Sequence, residues 1–276
     1  MMLACGLFAA ANACAKAVQV ISGGAIPPEQ VTFCRFAFGL LGLLPWLVRA
    51  RTSALRTRAP GLHALRVLFG VGGVTCLFAA LARMPLGEVT AIAWSSPLVA
   101  MLIAALLMGD RVGIGRWLAA GVGFAGVAVM MRPTGAGLAP AGLLALAAAL
   151  FNGAEVATIR ALASRDPPLT VLLISNGAGT VLSLALASPS LTAPSAPELA
   201  LLAGVGLGTV AGQLLFMEAL RLRELSFVAP FYYATLVYAF VYGIVLFGEQ
   251  PTRHGLLGAA MIVASGLYTL RVKRPT

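Results

Sequence analysis

The chain is a succession of long apolar runs, each about the length one α-helix needs to cross the hydrocarbon core of a bilayer. Runs bounded by Pro, Gly and charges give spans near residues 3–21, 31–48, 64–82, 87–108, 114–131, 138–162, 169–187, 198–220, 226–247 and 254–271. The runs are continuous and do not alternate with period two, which argues against barrel strands. The expected fold class is therefore all-α integral membrane, with ten transmembrane helices. Composition agrees: 60% of the residues are hydrophobic and 10% charged, against about a quarter charged in soluble domains. Ten spans leave no room in 276 residues for a soluble domain. The first run contains Ala11-Asn12-Ala13, which resembles a signal-peptide cleavage site. It lacks a basic n-region and recurs in the second half, so it reads as a span.

The recurrence is visible by sliding the chain along itself. A shift of 140 lays Asn12 on Asn152, Ala17 on Ala157, Pro27-Pro28 on Pro167-Pro168 and Gly39 on Gly179. A shift of 139 lays Gly73 on Gly212, Ala80-Leu81 on Ala219-Leu220, Gly109-Asp110 on Gly248-Glu249 and Arg132 on Arg271. The chain divides into two five-helix repeats, 1–134 and 135–276. Five is odd, so the second repeat enters the membrane from the opposite side. Charge supports the inversion: the loop after span 2 carries Arg49, Arg51, Arg56 and Arg58, whereas its counterpart after span 7, SPSLTAPSAP, carries no basic residue. With the Arg-rich loop inside, both termini are cytoplasmic and the chain is a multi-pass protein of a bacterial inner membrane.

The net charge of +10 is spread between apolar runs, without the clustered basic stripe of a nucleic-acid binder. Cys5, Cys14, Cys34 and Cys76 lie in apolar runs without CxxC spacing, and His63 and His254 have no partners at metal spacing. No metal, cofactor or nucleic-acid partner is expected. No HExxH, paired intramembrane aspartates or Ser/His pair points to an enzyme. A channel would call for a filter or charged ring shared by identical subunits, and the pseudo-symmetric single chain fits a monomeric carrier in lipid better.

Residues 91–130, AIAWSSPLVAMLIAALLMGDRVGIGRWLAAGVGFAGVAVM, carry a mid-span proline, a Gly-acid pair and a final helix rich in small residues. The second copy, APFYYATLVYAFVYGIVLFGEQPTRHGLLGAAMIVASGLYTL, repeats the order, and FCRFAFGLL at 33–41 holds an arginine in the second span. In these features the whole chain resembles the EamA-type, two-repeat members of the drug/metabolite transporter (DMT) superfamily. The copies differ in one respect: Pro97 pairs with Leu236, and span 9 has its proline earlier, at Pro230. The resemblance implies a small-molecule path lined by spans 1, 3, 4, 6, 8 and 9, with alternating access. It further implies export of amino acids or related metabolites, with YddG-type aromatic amino acid exporters the nearest in character. Other metabolite or multidrug export (cationic drugs, nucleosides) and lipid-carrier flipping are the alternatives.

Polar groups inside spans are costly and few, so each is a candidate. Asn12 and Asn152 are repeat-equivalent and suit either a substrate or a neighbouring helix. Lys16 and Arg35 either snorkel to headgroups or meet a substrate carboxylate. Glu155 and Glu218 are the carboxylates expected within the membrane, for protons or a substrate ammonium, unless they pair with Arg160 or Arg221. Trp94 and Tyr233 are repeat-equivalent; with Phe78, Phe216 and Tyr238 they offer stacking surfaces or plain packing. Pro97 and Pro230 free backbone carbonyls, and Gln213 adds an amide on span 8. Gly204, Gly208 and Gly212 share one face of span 8 and read as a packing surface.

Overall fold

The computed structural model describes residues 1–49, 57, 59–107, 113–131, 140–163, 165–222 and 233–271. Within them lie eleven α-helices and no strand. The first five helices are α1 (Met2–Ile21), α2 (Pro28–Arg49), α3 (Pro60–Leu81), α4 (Leu86–Ala93) and α5 (Ser96–Leu107). There follow α6 (Ile114–Met131), α7 (Pro140–Leu162), α8 (Pro168–Ala187), α9 (Ala196–Leu222), α10 (Ala234–Phe247) and α11 (Arg253–Arg271). Among the described residues seven stretches are long and apolar enough to cross a membrane, one of them the pair α4 and α5 taken together. Four helices open on proline, whose fixed φ suits the first turn and whose missing N–H would find no partner there anyway. Val181, Val245 and Leu106 on the periphery are each more than 70% exposed, as expected of side chains that face acyl tails.

The mid-span proline divides span 4 in two. Pro97 has no N–H to give Ala93, so α4 stops at that residue and the chain tightens through Trp94 and Ser95. The Ser95 N–H and hydroxyl both donate to the Ile92 carbonyl, at 3.0 and 2.7 Å. Pro230 lies outside the described residues, and the described part of span 9 opens at Tyr233, the repeat partner of Trp94. At its far end α10 closes on Gly248, left-handed at φ 62°, with the Glu249 N–H reaching back to Gly243 O at 3.0 Å. This cap turns the chain and fixes where Glu249 points.

The main helix contacts recur on exchanging α1 with α7, α2 with α8, α3 with α9, α4 and α5 with α10, and α6 with α11, although α2 meets α3 with no matching contact between α8 and α9 of that extent. Thus α1 lies against α9 and α10 as α7 lies against α3 and α5, while α2 meets α8, α6 meets α11 and α4 meets α10. Small residues set the crossings: a Cβ on Gly126 would sit 2.8 Å from the Gly258 carbonyl, so α6 and α11 touch through backbone. Gly204, Gly208 and Gly212 meet Cys14, Ala11 and Phe8 of α1, the packing role their spacing suggests.

Candidate functional site

Three groups of polar and aromatic side chains are stacked along the bundle axis. The first closes the face formed by the α3–α4 and α10–α11 turns. Lys16 of α1 is buried, forms an ion pair with Glu249, and donates to Met84 O at 2.6 Å. Its ammonium also lies 5.6 Å from the Phe247 ring centroid. The other Glu249 oxygen accepts the Leu86 N–H at 2.8 Å, at the start of α4. Beside it Glu88 accepts the Thr252 hydroxyl at 2.8 Å. Lys16 therefore neither snorkels nor stands open to a substrate: the carboxylate it meets belongs to the protein.

The second group sits at the break in span 4. Trp94 and Tyr233 face each other with ring centroids 6.1 Å apart and planes tilted by 53°, both half-buried. The Tyr233 hydroxyl rests on the backbone at Gly266 of α11, in space a side chain there would fill. The break itself lies on α7, where a Cβ at Gly153 would come within 2.9 Å of Ser96 O. The adjacent Asn152 turns its amide oxygen onto Gly73 of α3. Neither Asn152 nor its repeat partner Asn12 makes a hydrogen bond among the described residues, and the buried Gln213 Oε1 has no partner either.

The third group lies toward the α2–α3 face. Arg66 of α3 donates to Val171 O at 2.9 Å and to the Ser175 hydroxyl, both on α8. Its Nε stands 3.6 Å from Glu155 of α7, so Glu155 pairs with Arg66, where Arg160 or Arg221 was expected. Arg35 stacks its guanidinium over Phe36 at 4.3 Å. Nearer the helix ends His63 and Asp166 pair at 2.9 Å, with the Thr57 hydroxyl also on Asp166.

The remaining candidates scatter. Phe78 is buried in the main core, Pro97 is exposed, and Tyr238 stacks on Tyr242 at 6.2 Å and touches Gly6 of α1. Phe216 is half-buried on α9. Glu218 is exposed, and the buried carboxylates among the described residues that the sequence did not single out are Glu88 and Asp166, with Glu249 half-buried. Arg66, which is not among the candidates taken from the sequence, is 5% exposed within α3. Among the described residues no group of three His, Cys, Asp or Glu is placed to hold a metal. A cavity of about 570 Å³ opens between α2, α3 and the end of α8, lined by Pro27, Thr75, Cys76 and Ser190. None of the candidate side chains borders it, so the chemistry of the unfilled amides and arginines outweighs its size.

The EamA-like transporter family matches this sequence over residues 1–132 and 139–271. The chain belongs to that family. Among its EamA relatives, a riboflavin transporter of Rhizobium johnstonii is 32% identical over 90% of this chain and 82% of that one. An S-adenosylmethionine uptake transporter of Rickettsia conorii is 28% identical over 87% and 82%. A solved crystal structure 24% identical in sequence shares the fold, with a TM-score of 0.60 over 96% of this chain and 94% of that one. The EamA assignment makes the chain a membrane transporter of small solutes.

Proposed function

We propose that this EamA protein is a secondary transporter that carries small aromatic metabolites across the bacterial inner membrane. It does so by alternating access between inverted repeats 1–134 and 135–276, with both termini cytoplasmic. The observation that carries the reading is the Trp94 and Tyr233 pair, contributed by equivalent positions of the two repeats, with α7 packed on the span 4 break at Gly153. A planar ring entering between them gains stacking from both halves. Riboflavin and S-adenosylmethionine, the solutes named for two relatives, each carry a heteroaromatic ring. The exchange-symmetric packing supports rocking of one repeat against the other.

Export of aromatic amino acids is the second reading. It is favoured by Arg35, which forms no ion pair among the described residues and stacks on Phe36, while Lys16 drops out as an anchor because Glu249 occupies it.

The test is selectivity on losing one stacking surface. Trp94→Ala removes about 0.5–1.5 kcal/mol of ring stacking, a two- to tenfold loss for riboflavin or phenylalanine. Threonine, if carried at all, should be unaffected at equal membrane expression. Equal losses for aromatic and aliphatic solutes would make Trp94 a packing residue.

A further inference from the structure

The ion pair at the α3–α4 face is built so that its acid can be neutralised without orphaning its base. Glu249 meets Lys16 through Oε1 and accepts the Leu86 N–H on Oε2 at 2.8 Å. Lys16 has a second acceptor, Met84 O at 2.6 Å, and its ammonium lies 5.6 Å from the Phe247 ring centroid. A proton on Glu249 Oε1 therefore removes the charge attraction and leaves each group a hydrogen-bond partner. The charges of the cluster do not balance. Glu88, in the first turn of α4, is buried, and its partner is neutral: the Thr252 hydroxyl, at 2.8 Å, which in turn accepts the Gly255 N–H at 3.0 Å. Its Oε1 lies 2.6 Å from where a Cβ on Gly255 would stand, against the first turn of α11. Among the described residues the cluster thus holds two carboxylates and one ammonium, and one added proton makes it neutral where net charge is costly. Of the two carboxylates, Glu249 is half-buried and Glu88 buried, so water reaches Glu249 more readily. Around them, Arg83 on the α3–α4 turn and Arg253 and His254 at the start of α11 are exposed, and the ionisable side chains of α10 are Tyr238 and Tyr242.

We propose that Glu249 is a proton-binding site whose occupant controls the α3–α4 face: a proton from the water beyond that face takes the place of Lys16 on the carboxylate, and the face opens. The step forms one O–H bond on Glu249 and breaks one ion pair. Lys16 stays an ammonium, and nothing is oxidised or reduced. The pair exists only while Glu249 is ionised, so acid on that side weakens closure and alkali restores it. Closure, conversely, expels the proton. The pair is placed to transmit the change, because it joins α1 of the first repeat to the α10 cap of the second. Glu249 follows the left-handed Gly248, and a Cβ on Gly243 would come within 2.6 Å of its Oε2, so the carboxylate is folded back over the last turn of α10. The Leu86 N–H still holds Oε2 after protonation, which keeps α4 on the cap while α1 is released. That the face is external rests on the orientation proposed above, whereas the proton site rests on the cluster alone.

The readout is the rate at which an impermeant thiol reagent labels a cysteine replacing the buried Ser95, in bacterial cells producing the full chain without its native cysteines. At each external pH that rate is divided by the rate for a cysteine replacing the exposed Ser190, which cancels the titration of the thiol itself. Between about pH 8 and pH 5.5 the ratio should rise, by up to about tenfold per unit for one linked proton. Glu249→Gln should label fast at every pH with no acid response. It should also keep counterflow of riboflavin or phenylalanine in proteoliposomes, which a misfolded protein cannot do. Glu88→Gln and His254→Gln remove the other groups able to titrate there and should keep the acid response; with the parent, they decide the matter even where Glu249→Gln does not fold. A parent ratio indifferent to pH, an acid response surviving in Glu249→Gln, or one lost in Glu88→Gln or His254→Gln would each overturn the proposal. If Ser190 is labelled only in inverted vesicles, the orientation fails and the same outcomes are read there. No counterflow at any pH, with the acid response intact, would sink the carrier reading and leave the proton site standing.

Discussion

Tyr233 has two duties in this bundle. Its ring faces Trp94 at 6.1 Å, and its hydroxyl rests where a Gly266 side chain would be. Gly266→Ala therefore puts a methyl group onto the hydroxyl and turns the ring away from Trp94. Overpacking of this kind costs about 1–3 kcal/mol of stability, read as a lowered melting temperature. It should also weaken riboflavin or phenylalanine binding as far as Trp94→Ala does, and the double variant should lose no more than either alone. Additive losses would separate Tyr233 from the stacking pair. At this scale the sequence disclosed one contact: repeat equivalence alone paired Trp94 with Tyr233. It did not disclose Lys16 with Glu249 or Glu155 with Arg66, because those partners come from non-equivalent positions far apart in the chain. Arg66 was hidden by its place near a helix end, where an arginine ordinarily reads as a topology signal.

The helices that meet at the α3–α4 face are joined by charge as well as by apolar contact. Lys16 and Glu249 tie α1 to the α10 cap, Glu249 ties that cap to the start of α4, and Glu88 ties α4 to Thr252. In the proposed orientation this face is external, and the ties close it. Removing one partner of a buried pair leaves the other uncompensated and costs about 3–5 kcal/mol, so Glu249→Gln should favour opening toward that face. The readout is a cysteine in place of the buried Ser95, with Cys5, Cys14, Cys34 and Cys76 removed. An impermeant thiol reagent added outside should label it at least tenfold faster in Glu249→Gln than in its parent. Unchanged labelling would show that the ties do not gate. The Gly-acid pair at Gly248-Glu249 was legible as a repeat mark, but its consequence needs the left-handed cap that aims the carboxylate at α1. Likewise Pro97 announced a kink in span 4, and the structure extends it to a full break between α4 and α5.

For the molecule as a whole, membrane-helix architecture follows from composition and run length, and the family assignment bears that reading out. What composition could not convey is which helices touch, since apolar faces on every side of a span carry no amphipathic signal to say which faces lipid. Contacts here are chosen by small residues, as at Gly126 with Gly258, whose partners no single-chain periodicity reveals. The proposed inverted arrangement makes its own prediction. With the native cysteines removed, a cysteine replacing the exposed Ser190 should react with an impermeant reagent from outside, and one replacing Ser53 should not. The reverse pattern would overturn the orientation.

Solute counterflow tests the central claim, that one chain is a complete alternating-access carrier for aromatic solutes. Proteoliposomes loaded with unlabelled riboflavin or phenylalanine are diluted into a trace of the same labelled solute. A carrier that reorients around a shared site should show transient uphill accumulation, driven by the internal load and much reduced in Trp94→Ala. Labelled solute that merely equilibrates, at a rate indifferent to the internal load, would contradict the account.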